Sequence, residues 1–120
     1  MTGSDRVRSV ALIPHPEGTL ALAVSWADGG TDVLDFATGS VSSLKGARAK
    51  TVAAYLSDQG RSVLITGEQD AVVGRDVRTG DEVFCLVTGN RIEHVGTDTS
   101  SGRPILIVGS VNGVALLDLP

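Results

Sequence analysis

The pentapeptide Asp35-Phe36-Ala37-Thr38-Gly39 returns 41 residues later as Asp76-Val77-Arg78-Thr79-Gly80. Each copy follows a short apolar run, so each marks a chain reversal at a strand end. Meeting the same reversal twice makes the chain a repeat before any element is assigned. Other landmarks keep the step. Gly18, Gly60 and Gly102 lie 42 residues apart, and so do Asp28, Asp70 and Asn112. Asp35, Asp76 and Asp118 follow at steps of 41 and 42, the missing residue being offset by the extra glycine of Gly29-Gly30 in the first repeat.

Between the landmarks, apolar runs alternate with turns. The first repeat reads Val10–Ile13, Leu20–Val24, Val33–Phe36 and Val41–Leu44. The second reads Val52–Leu56, Val63–Thr66, Ala71–Val77 and Val83–Val87, and the third Ile92–Val95, Ile105–Val108 and Val114–Leu119. Arg48–Leu56 is the one segment with helical character, and the β-branched Thr51 and Val52 weigh against it. The second run of each repeat is the most continuously apolar, which predicts a strand covered on both faces. The fourth carries Ser42, Ser43, Asp81 and Glu82, which predicts a solvated outer edge. Short antiparallel strands, four to a repeat of about 42 residues, predict an all-β chain of propeller blades with the last blade incomplete. The blades are expected at about residues 7–48, 49–90 and 91–120.

These residues resemble the WD-repeat family from about Val7 to Leu119. Pro16-Glu17-Gly18, Asp58-Gln59-Gly60 and Ser100-Ser101-Gly102 match its turn before the second strand. Asp28, Asp70 and Asn112 match its tight-turn acid. Leu34-Asp35, Arg75-Asp76 and Leu117-Asp118 stand where the family has Trp-Asp. The Trp is absent from all three, and Lys45-Gly46-Ala47 and Thr88-Gly89-Asn90 replace its Gly-His. The family's Asp–His–Ser/Thr–Trp network is therefore not expected. Quinoprotein-like and YVTN-type blades share the remaining features.

A blade covers its faces only against neighbours, and closed rings have about 4–8 blades. Three blades predict two bare apolar sheet faces and a ring completed by another chain. One completion is a homodimer forming a six-bladed ring. The other is membership, as fragment or subunit, of a larger propeller. The segment Gly3–Arg8 is a candidate for the missing fourth strand of the last blade.

Composition narrows function. Net charge is −4 and aromatic residues are 3%, which argues against phosphate-backbone binding and against base stacking, so no nucleic-acid partner is expected. No apolar run is long enough for a helix to span a bilayer, and no apolar leader is present, so no membrane partner and a cytoplasmic location are expected. His15 and His94 lack metal-ligand spacing, and no cofactor motif appears. Cys85 reads as a buried small hydrophobe. Gly18, Gly60, Gly102, Asp35, Asp76 and Asp118 read as structural turn residues. The turns at Trp26–Thr31, Glu68–Ala71 and Ser110–Gly113 vary between repeats, so Trp26, Asp28, Glu68, Asp70 and Asn112 are the candidate interaction residues on one rim, with packing in a gap between blades the equal alternative for Trp26. The function these features imply is a non-catalytic protein-interaction scaffold with an unnamed protein partner. A ligand- or carbohydrate-binding propeller and a propeller enzyme rank below it.

Overall fold

The computed structural model describes residues 6–28, 30–44 and 48–120. Among them every regular element is a strand. The first sheet is β1 (Val7–Pro14), β2 (Leu20–Trp26), β3 (Thr31–Asp35) and β4 (Val41–Ser43). The second is β5 (Thr51–Leu56), β6 (Ser62–Gly67), β7 (Ala71–Asp76) and β8 (Glu82–Val87). The third is β9 (Ile92–Asp98), β10 (Ile105–Ser110) and β11 (Gly113–Asp118). All pairings are antiparallel between strands adjacent in sequence, so each sheet is one meander, a propeller blade. Arg48–Leu56, where a helix competed, yields β5.

The recurring glycines do the same work three times. Gly18, Gly60 and Gly102 have φ of 88°, 77° and 86°, a region that side chains with a Cβ rarely adopt. Each N–H donates at 3.0 Å to the carbonyl three residues back, on His15, Ser57 and Thr99. Asp35 and Asp76 hold their turns through Oδ1, which accepts the N–H of Ala37 and of Arg78 at 2.8 Å. Asp118, at the same step of the repeat, ends β11.

The blades stack as a wedge, with β5 lying against both β1 and β9. One face of the middle sheet (Val52, Leu64) joins Ile13, Ala21, Ala23 and Val33 of the first. Its other face (Ala53, Tyr55, Val63, Ile65, Val72) joins Ile92, Val95, Leu106 and Val108 of the third. Polar bonds stitch both junctions. Val52 N–H donates to Ser9 Oγ at 3.1 Å, and Val95 N–H donates to Thr51 Oγ1 at 3.3 Å. Ser62 Oγ donates to Pro14 O at 2.7 Å, and Thr97 Oγ1 to Ala54 O at 2.9 Å.

Three expectations need correction. The second strand is covered on both faces only in the middle blade: β6 is buried throughout, whereas β2 and β10 are not. The outer blades lack a neighbour on one side. Cys85 is exposed rather than buried, because β8 is the edge strand of its sheet. Val7 and Arg8 do not serve the last blade; they open β1, with Val7 opposite Trp26. The rest of Gly3–Arg8, apart from Arg6, lies outside the described residues, as do Gly29 and Lys45-Gly46-Ala47.

Candidate functional site

The varying turns meet the starts of the inner strands on one rim, and there they enclose a cleft of about 570 Å³. Asp28, Glu68 and Asp70, three of the candidate rim residues, line it. Four cations line it as well: Arg8, Arg48, Lys50 and Arg91. Their side chains look scattered along the chain, but the repeat brings them together. Lys50 stands 42 residues after Arg8, and Arg91 stands 43 after Arg48. The periodicity that located the turns would also have located these cations.

Charge in the cleft is partly spent internally. Glu93 accepts from Lys50 Nζ at 2.9 Å and from Arg91 Nε at 3.0 Å. The hydrogen bond from Lys50, helped by that from Arg91, holds the Glu93 carboxyl below the usual carboxylate range. Arg75 reaches Glu68 at 3.4 Å and Thr66 Oγ1 at 3.0 Å. Arg8 and Arg48 are exposed and carry no ion pair among the described residues. The cleft thus offers two guanidinium groups that are unpaired among the described residues, beside exposed acids at Asp28 and Asp70.

The remaining candidates part company. Asn112 lies in a neighbouring cleft of about 300 Å³, where its Nδ2 donates to Asn90 Oδ1 at 2.8 Å. Trp26 turns away from the rim. It shares the open face of the first sheet with Leu20, Leu22 and Val24, and its Nε1 donates to buried Asp32 at 3.0 Å. Ser43 Oγ donates to the other oxygen of Asp32 at 2.6 Å. Two polar networks tie the strands together: Trp26–Asp32–Ser43 in the first blade and Arg75–Thr66–Glu68 in the second.

On the opposite rim, His15 Nδ1 lies 3.1 Å from Ser62 Oγ, in a cleft of about 280 Å³ that also contains Asp35 and Asp76. Ser62 gives its own hydrogen to Pro14 O, and both carboxylates hold turn N–H groups. His15 and Ser62 therefore form a strut between blades. Among the described residues, no group of three or more His, Cys, Asp or Glu side chains is placed to hold a metal ion.

No protein family matches the chain by sequence, and no curated protein does. Among solved structures, the β-propeller domain of Cps50 (Swd1) from Myceliophteria thermophila aligns with all of this chain at a TM-score of 0.56 and 19% identity. The chain spans 40% of that protein's solved length. At this identity the likeness is one of fold, and it establishes the three sheets as part of a β-propeller.

Proposed function

We propose that the chain is a non-catalytic protein-interaction scaffold, a WD-repeat-like propeller segment that assembles by oligomerisation and grips its partner at the rim cleft. The observation that carries this reading is the pair of guanidinium groups, Arg8 and Arg48, without an ion pair among the described residues, beside exposed Asp28 and Asp70 in one cleft. Such a cleft suits a peptide segment that presents a carboxylate next to a basic side chain, because guanidinium groups bind carboxylates bidentately. Rim loops on a rigid β frame are a common place for recognition. The enzymatic reading loses ground because the Ser62 hydroxyl is committed to Pro14 O and to His15 Nδ1 across the blade junction, and His15 Nε2 is buried, facing no hydrogen-bond partner among the described residues. In its host, the protein fits a cytoplasmic setting in which Cys85 stays reduced.

The test is a comparative pull-down from source cells with the native chain and with Arg8→Glu and Arg48→Glu. Both variants are expected to keep the β-sheet circular dichroism spectrum and to lose the captured protein. An unchanged set of captured proteins would contradict the reading.

A further inference from the structure

We infer that the open face of the first sheet seats on the open face of the third sheet of a second copy, head to tail, by the contact that already joins blades within one chain. This rests on the scaffold reading and gives its assembly a surface and a register.

The two faces are apolar and bare. Val10 and Leu12 are each 55% exposed on the first sheet, and Val114 and Leu116 are 73% and 67% exposed on the third. Patches of this kind on a soluble domain mark interaction surfaces.

Their repeat positions show that they are complementary rather than alike. Leu22 of the first sheet stands where the later blades have Leu64 and Leu106, which meet the preceding blade at 0% and 1% exposure. Ile107 of the third sheet stands where the earlier blades have Ala23 and Ile65, which meet the following blade at 0% exposure. One end of the wedge therefore carries the surface that arrives at a junction, and the other end the surface that receives it. Each fits the other, and neither is built to fit itself.

The polar seam extends the same way. Val52 donates its N–H to Ser9, and Val95 donates to Thr51. The next pair in register is Val10 of one copy and His94 of the other, whose imidazole takes the place of those hydroxyl acceptors. A contact of unlike surfaces closes when its rotation divides the circle. Two wedges then give six blades, within the usual range for closed rings.

Light scattering after size exclusion tests this on the 120-residue chain. The native chain is expected at twice 12.3 kDa. Leu12→Glu on the first sheet and Leu116→Glu on the third should each halve that mass. Both sites are exposed within one chain, so the fold should survive, with circular dichroism as the check. Mixing the two variants leaves one intact seam and should restore a dimer. A folded native monomer at micromolar concentration, an open polymer, or a dimer broken by only one of the two variants would overturn the inference. If the native chain is a monomer that still captures its partner through Arg48, the seam fails and the scaffold reading stands. If the dimer forms but capture ignores Arg8 and Arg48, the reverse holds.

Discussion

The middle blade and its two flanking blades are built from similar strands and end in different environments. Every residue of β6 is buried, while β2 and β10 present part of one face to solvent. Ile65 is 0% exposed, yet its counterpart Ile107, the same residue type in the same register, is only partly covered. Burial in this fold belongs to the junction between blades rather than to the strand. A blade is therefore half of two interfaces and has little core of its own.

The sharpest probe of that contrast is truncation of the paired isoleucines. Ile65→Ala opens a cavity between two sheets and should cost about 2–5 kcal/mol in denaturant unfolding. Ile107→Ala, measured at concentrations where copies are apart, should cost clearly less. Equal losses would mean that the third sheet is covered from both sides within a single chain.

A smaller effect separates two glycines at equivalent positions. A Cβ on Gly67 would lie 2.5 Å from Thr51 Cγ2 and 2.9 Å from Ile92 Cγ2, inside the junction of the second and third blades. A Cβ on Gly109 meets nothing nearer than 3.7 Å, at His94. Gly67→Ala should therefore destabilise by about 1–3 kcal/mol. Gly109→Ala should stay within about 0.5 kcal/mol in the dissociated chain, as surface changes do. Thermal melts of the two variants give the comparison directly.

The weakest expected effect comes from the ion pair that bridges the second and third blades. The Glu93 carboxyl is held low by Lys50, so its contribution is complete above the ordinary glutamate range and is lost as pH falls through its lowered folded value. Glu93→Gln should flatten the acid side of the stability profile slightly, its small loss being present at neutral pH and absent once pH has fallen below the lowered folded value. Because the group is exposed, the change should shrink further in high salt.

The strands were legible because a 42-residue step fixes turn glycines and acids whose roles are local. Gly18, Gly60 and Gly102 need only their own backbone to act, and so do Asp35 and Asp76. What depended on neighbours was not legible in the same way. The apolar run around Cys85 looks like core, but it lies on an outermost strand. Trp26 lies next to a rim turn in sequence, yet strand alternation and Asp32 direct its ring onto the sheet face. The cations of the cleft are hidden in the sequence because Arg8 and Lys50, or Arg48 and Arg91, look isolated until the repeat is applied to charged residues as well as apolar ones. The cation series ends at Glu93, where an acid follows two bases and neutralises part of the cleft.

Amide hydrogen exchange on the native chain over a range of concentrations tests the junction account most directly. At low concentration β6 should exchange most slowly of the three second strands. Raising the concentration should slow β2 and β10 toward it and leave β6 unchanged. If β2 and β10 are as protected as β6 at every dilution, blades complete their cores alone and the account is wrong.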